Sequence, residues 1–172
     1  GALPDVATGS PLLASVGRLV ERKGVAWFVD AVLPDWMERH PGARFVIAGE
    51  GPERARIEAS IRRHRLDGKV VLLGQISEEE KWALLSASDL VVLPNLHVPG
   101  DIEGFGLAVL EAGASGTFVL AADLEGLRDA VIEAGNGQRV ASGDPTAWAA
   151  ALAHRAATAA SLKTCCMRNL RV

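Results

Sequence analysis

Short apolar runs alternate with longer stretches of helical periodicity along most of the chain. Nearly continuous apolar runs of this length are typical of strands that are covered on both faces, because strands with one solvated face alternate polar and apolar residues. The runs predict five strands, at 12–16, 44–48, 69–73, 89–93 and 117–121, and a short sixth near 138–140. Strands separated by helices at this spacing predict an α/β fold, a doubly wound parallel sheet in a three-layer α/β/α arrangement.

Helical periodicity fills the intervals between the apolar runs. It predicts helices at 24–39, 53–65, 77–87, 105–115, 125–134 and 144–160. Pro34 interrupts the first helix and predicts a kink or a break there, because proline cannot donate the helical hydrogen bond. Ser77, followed three residues later by Glu80, is a capping-box pattern that predicts a helix start. All four tryptophans fall in helical patterns and are interpreted as packing residues rather than as stacking platforms for a ligand: Trp27, Trp36, Trp82 and Trp148.

Composition restricts the classes of function. The chain has 172 residues, of which 49% are hydrophobic and 23% charged, as in a single globular domain with a substantial core. We therefore expect one domain over 1–172, and the start at Gly1 rather than Met is compatible with a fragment. A net charge of −3 argues against general nucleic-acid binding. Cys165 and Cys166 are adjacent, so they cannot staple the fold, and we expect a reducing, cytoplasmic location.

Ligands bind beyond the carboxyl ends of the strands in a doubly wound sheet. The first such segment, GRLVERKG at 17–24, places three cations between two glycines, a composition that suits phosphate oxygens. A solvated basic loop is the alternative interpretation. The segment is not a P-loop, because it lacks Gly-Lys-Ser/Thr after a glycine-rich stretch. The second segment, GEGPER at 49–54, has no third glycine, so a structural turn is favoured over a dinucleotide fingerprint.

The segment EGFGLAVLEA at 103–112 places carboxylates at both ends of an apolar run. Glu103 and Glu111 would lie roughly 12 Å apart along a helix, farther than the roughly 5–9.5 Å between the carboxyls of a glycosidase. A helix entry at 104–106 would offer N–H groups to an anion, and Glu111 could then accept from the hydroxyls of a neighbouring polyol such as a ribose. The alternatives are an ordinary amphipathic helix and a metal-binding pair formed by Asp101 and Glu103. No other acidic or histidine group makes a convincing metal set.

Taken in chain order, GRLVERKG, GEGPER, the strand DLVVLP and EGFG with a second Glu eight residues on resemble one known family. They are similar to the donor-binding C-terminal domain of the retaining family 4 glycosyltransferases, which have the GT-B fold. The resemblance covers about 11–152. It implies an enzyme that transfers a hexose from a nucleotide-diphospho-sugar without a metal or other cofactor. The N-terminal acceptor domain of such enzymes would be absent, so the isolated domain is expected to be inactive.

The resemblance also implies roles for individual residues. The implied catalytic residues are Glu103, beside the donor sugar, and Arg18 and Lys23, which would neutralise the donor diphosphate. The implied donor-binding residues are Gly17, Gly51, Gln75, Ile76, Gly104, Phe105, Gly106, Leu107 and Glu111. Among these, Gln75 and Ile76 would lie along the nucleobase, and Glu111 would bind the ribose hydroxyls. The full-length protein would meet its acceptor through the N-terminal domain, and an association with a membrane surface is left open.

Some segments depart from the family pattern. The loop HVPGDI at 97–102 precedes EGFG and would reshape the sugar pocket, and 115–121 and 124–131 follow the family only loosely. A non-transferring relative, either a nucleotide-sugar epimerase or a regulatory nucleotide-sugar binder, is the alternative function. A nicotinamide-dependent oxidoreductase domain is disfavoured, because neither of the first two strands is followed by a complete glycine fingerprint.

Overall fold

The structure, a computed structural model, describes residues 10–101, 106–124, 126–133 and 135–155. The elements in chain order are β1 (Leu12–Val16), α1 (Val25–Ala31), α2 (Leu33–Arg39), β2 (Arg44–Ala48), α3 (Arg54–Arg63), β3 (Val70–Gly74), α4 (Glu78–Ala87), β4 (Leu90–Leu93), α5 (Leu107–Ala114), β5 (Phe118–Ala122) and β6 (Gly137–Val140). Residues 145–155 form a further helix, α6. The six predicted strands are confirmed, each bound lying within one residue of its prediction.

The strands form one sheet in the order β3-β2-β1-β4-β5-β6, and all neighbouring strands are parallel. The chain first winds outward from β1 to β3 and then returns to place β4 on the other side of β1. Because crossovers between parallel strands are right-handed, this reversal puts α4 and α5 on the face opposite α1 and α3. The predicted doubly wound fold is therefore confirmed. The reversal between β1 and β4 opens a crevice at the carboxyl edge of the sheet.

An aromatic cluster anchors the first helix to the sheet and to the last helix. The ring of Phe28 in α1 meets Phe45 of β2 edge-on with centroids 5.6 Å apart, and it meets Trp148 of α6 in the same way at 5.5 Å. All three side chains are fully buried. The indole N–H of Trp148 donates to the carbonyl of Ala141 at 3.1 Å, so this buried polar group is satisfied.

The first predicted helix is broken as the position of Pro34 predicts. It divides into α1 and α2 at Val32, because Pro34 has no N–H to donate to the carbonyl of Asp30. The helix predicted over 125–134 is wrong, since 126–130 are turns. The amide of Asn136 replaces helical bonds there, accepting from the Ile132 N–H at 2.8 Å and donating to the Ala130 carbonyl at 3.1 Å.

The tryptophans differ in their surroundings. Trp36 and Trp148 are buried and Trp27 packs against the core, in line with the predicted packing role, whereas Trp82 is 41% exposed. Its ring carries the ammonium of Lys81 at 5.6 Å from the centroid, a cation–π geometry. Within the described ranges, none of the helices is long and apolar enough to cross a membrane.

Candidate functional site

Close backbone contacts fix the loops at the carboxyl edge of β1 and β2. A Cβ atom on Gly49 would lie 1.8 Å from the carbonyl oxygen of Gly17, and one on Gly51 would lie 2.3 Å from that of Leu19. Both glycines have positive φ. The close approach of Gly51 is thus to the protein's own backbone, which supports the structural interpretation of GEGPER. The role of Gly51 toward a ligand stays a prediction.

A cavity of about 400 Å³ opens above the carboxyl ends of β1, β2 and β3. It brings together four of the residues predicted to bind a ligand, Gly17, Arg18, Gln75 and Ile76. Arg18 and Gln75 are exposed and Ile76 is half-buried, so a ligand could meet polar groups and an apolar surface in the same space. The cavity is also lined by residues that the sequence analysis did not select: Val16, Ala48, Gly49, Glu50, Glu78 and Lys81.

The predicted cation Lys23 lies next to this cavity. It ends a short 3₁₀ turn, Glu21–Lys23, and is followed by Gly24 in the left-handed conformation. Lys23, Arg18 and Gly17 line a common small pocket with the buried Asn95 that follows β4. Arg18 and Lys23 therefore lie together at the β1–β4 crevice, and their role toward a phosphate stays a prediction.

The amino end of α5 is a candidate anion-binding site. Its N-cap is Gly106, with φ 60°, and no side chain caps the helix or places a carboxylate in its first turn within the described residues. Such an end retains its positive dipole and unpaired N–H groups. Leu107, which was predicted to bind the donor, is 66% exposed. The predicted residues Glu103, Gly104 and Phe105 lie outside the described residues.

The predicted hydroxyl-binding residue Glu111 forms an ion pair between helices. Its Oε1 accepts from the ammonium of Lys81 in α4 at 2.7 Å, and the same ammonium donates to Glu78 at 2.8 Å. The side chain of Lys81 is only 14% exposed, against 32% for Glu111. Hydrogen bonding to Glu111 and then to Glu78 raises the pKa of Lys81 above its ordinary value, so the lysine stays charged at neutral pH.

Sequence reasoning missed Lys81, although a faint signal exists. Lys81 follows Glu78 by three residues, the spacing of an intrahelical ion pair, on the helix entered directly from Gln75 and Ile76. Its contact with Glu111 depends on the packing of α4 against α5, which a residue pattern does not specify. The Lys81–Glu111 pair therefore emerges only from the tertiary structure.

A second cavity, of about 260 Å³, lies on the other side of the crevice above β4 and β5. The loop that departs from the family pattern contributes His97, Val98, Gly100 and Asp101 to its lining. Arg22 pairs with Asp101 at 2.8 Å, and Arg128 pairs with Asp123 at 2.8 Å. Two cavities thus flank the predicted phosphate-binding cations. Among the described residues, no group of three or more histidine, cysteine or acidic side chains could hold a metal ion.

Several known proteins are similar to this chain in fold and in sequence. The chain is 37% identical over 145 residues to glycogen synthase from Mycobacterium tuberculosis, covering 84% of this chain and 34% of that protein. Sucrose-phosphate synthase from Thermosynechococcus elongatus superposes with a TM-score of 0.73 at 31% identity, covering 88% of this chain and 37% of the other. Anabaena HepE in complex with UDP and glucose gives a TM-score of 0.68 at 25% identity, covering 89% and 42%.

The chain spans about a third of the length of the curated relatives that it matches. The Rossmann-like sheet matches structures of glycosyltransferases with the GT-B fold. Residues 4–155 match the sequence profile of the family described as glycosyl transferases group 1. The chain therefore belongs to the glycosyl transferases group 1 family.

Proposed function

We propose that this chain is the donor-binding domain of a retaining glycosyltransferase and binds a nucleotide-diphospho-sugar at the β1–β4 crevice. The observation that carries the proposal is the convergence of Gly17, Arg18, Gln75 and Ile76 on one cavity, with Lys23 in the adjoining pocket. The polar Gln75 and the apolar Ile76 suit a nucleoside, and the two neighbouring cations suit a diphosphate, which matches the chemistry of such a donor. The complex of HepE with UDP and glucose supports a ligand of this kind.

In this proposal the nucleoside occupies the cavity above β1, β2 and β3, and the diphosphate crosses the β1–β4 crevice. Arg18 and Lys23 neutralise the diphosphate together with the N–H groups at Gly106 and Leu107. The sugar then lies beside Glu103. When the bond between the anomeric carbon and the diphosphate oxygen breaks, its electron pair passes to that oxygen. Cations and amides already aimed at this oxygen stabilise the developing charge without reorganising.

The complete enzyme extends beyond this domain in our proposal. The matched glycogen synthase is about three times as long as the shared segment, and an acceptor-binding domain would lie in the remainder. The acceptor's hydroxyl would attack the face of the sugar that the diphosphate leaves and give its proton to the departing diphosphate oxygen, so that the anomeric configuration is retained. We further propose that the protein works in the cytoplasm, and that the isolated domain binds donor but transfers little sugar.

Calorimetry with UDP, GDP, ADP and NAD in the presence of a chelator tests the proposal. We expect one of the nucleoside diphosphates to bind without a divalent metal, because Arg18 and Lys23 supply the positive charge that a metal would otherwise provide. Binding that appears only after Mg²⁺ or Mn²⁺ is added would contradict the metal-free site. Tighter binding of NAD than of any nucleoside diphosphate would favour an oxidoreductase domain instead.

Lys23→Ala tests the phosphate contact separately. Loss of a charged hydrogen bond should weaken nucleoside diphosphate binding by roughly 1.5–3 kcal/mol, while the free nucleoside should bind both proteins equally. Lys69→Ala is the matched control, since Lys69 directly precedes β3 at its amino end, away from the cavity. Equal affinities of the Lys23 and Lys69 variants for the diphosphate would contradict the phosphate contact and favour the interpretation of 17–24 as a solvated basic loop.

A further inference from the structure

Lys81 in α4 connects the cavity to Glu111 in α5. Lys81 lines the cavity, and its ammonium contacts Oε1 of Glu111 at 2.7 Å. Among the described residues, this is the contact that fixes the Glu111 carboxylate, and it engages one of the two carboxylate oxygens. The pairing joins residues 30 positions apart, so it reflects the packed structure rather than local helix geometry.

We propose that Lys81 is a positioning residue that orients Glu111 for the hydroxyls of the donor's ribose. The inference rests on the proposed function, because it concerns how the same site selects a ribonucleotide. With Oε1 held by the ammonium, the Oε2 atom is the oxygen left to accept from a ligand. A carboxylate that is held in one rotamer loses less conformational freedom when it binds than a mobile one does.

Charge gives a second reason for the pairing. A nucleoside diphosphate is an anion, so an unpaired carboxylate beside it would repel the ligand. The Lys81 ammonium offsets part of the charge of Glu111, which it shares with Glu78, while leaving Glu111 able to accept from neutral hydroxyls. The ammonium is itself held from the other side by Glu78 and is largely shielded from water. The shielding from water strengthens its interaction with Glu111 relative to an exposed pair.

A purely structural role makes a different prediction. If the pair only joined α4 to α5, its removal would lower the stability of the fold, and every ligand would lose affinity alike or not at all. A positioning role acts through Glu111, so its loss weakens ligands that carry ribose hydroxyls more than ligands that lack them. The two roles are therefore separated by ligand selectivity rather than by stability.

A double-mutant cycle with Lys81→Met and Glu111→Gln tests the inference. Calorimetry measures the binding of UDP, GDP and ADP and of their 2′,3′-dideoxy analogues to the wild type, both single variants and the double variant. We expect Lys81→Met to weaken the preferred ribonucleotide about tenfold more than its dideoxy analogue, because both ligands meet the uncompensated charge of Glu111 but only the ribonucleotide loses the oriented acceptor. In the Glu111→Gln background, Lys81→Met should cause no further selective loss.

Two further variants keep the result interpretable. Lys81→Arg retains the charge and should recover much of the selectivity even if Lys81→Met is unstable, and Lys69→Met removes a lysine at the opposite edge of the sheet. Equal losses for both kinds of ligand, additive losses in the cycle, or unchanged binding would overturn the positioning role while the nucleotide site stands. Failure of the wild type to bind any of the three nucleotides would instead overturn the proposed function, and this inference with it.

Discussion

Gly24 offers a sharp test of how the loop that we propose binds phosphate is built. It has φ +65°, and a Cβ atom there would lie 1.8 Å from the carbonyl oxygen of Pro94, which follows β4. Gly68 is a matched control, with φ +73° and nothing within 4 Å of its Cβ position. Gly24→Ala and Gly68→Ala therefore share the cost of a left-handed alanine, but only Gly24→Ala also drives the β1 and β4 loops apart.

The expected magnitudes follow from these two contributions. A left-handed residue with a Cβ costs about 1–2 kcal/mol, partly offset by about 0.4–1 kcal/mol from the stiffer unfolded chain. At Gly24 alone, the contact of the new methyl group with the Pro94 carbonyl lowers the free energy of unfolding by a further amount of about 1–3 kcal/mol. We expect Gly24→Ala to be less stable than Gly68→Ala by about 2 kcal/mol, or roughly 4–8 °C in Tm for a domain of this size.

Urea and thermal unfolding followed by circular dichroism measure this difference. Equal losses of stability in the two variants would refute the reasoning, because they would mean that the Pro94 carbonyl moves away from the new methyl group without destabilising the fold. A larger loss in Gly68→Ala would refute it as well.

Two further predictions concern packing and pH. Trp148→Phe keeps an aromatic ring beside Phe28 but removes the donor to the Ala141 carbonyl. We expect the free energy of unfolding in urea to fall by about 1–3 kcal/mol, because the carbonyl is left without its partner. Unchanged stability would contradict this prediction. The pKa of Asp30 lies below its usual 3.8, mainly because of the hydrogen bond from His64. The stability that Asp30 confers over Asp30→Asn should therefore be present above about pH 4 and be lost as the pH falls through the depressed pKa, and a pH-independent difference would contradict it.

Much of the fold could be predicted because its strands are covered on both faces. A strand such as β2 must be apolar along nearly its whole length, and such a run is easily distinguished from the alternating pattern of a half-exposed strand. The failure at 125–134 has a local cause. The segment carries helical periodicity, but the Asn136 amide bonds to the backbone of Ala130 and Ile132, and this competition between a side chain and the helix is invisible to periodicity.

The candidate site was predicted in part for a similar reason. Arg18, Lys23 and Gln75 all follow strands, and parallel topology alone brings the carboxyl ends of strands to one edge. Lys81 and Glu111 instead belong to two helices whose contact depends on side-chain packing across α4 and α5. A pattern that assigns residues to elements does not specify which faces of two helices meet, so this pair could not be foreseen.

The place of β1 in the middle of the sheet has a consequence for how the domain folds. β1 comes first among the described elements, yet it pairs with β2 on one side and with the much later β4 on the other. Closing such a long loop before its contacts form is entropically costly, and parallel pairing of this kind is slow. During synthesis, β1, β2 and β3 can assemble while β1 still has one open edge. The crevice forms only when β4 fills that edge, so the earliest strand of the sheet is among the last to be completed.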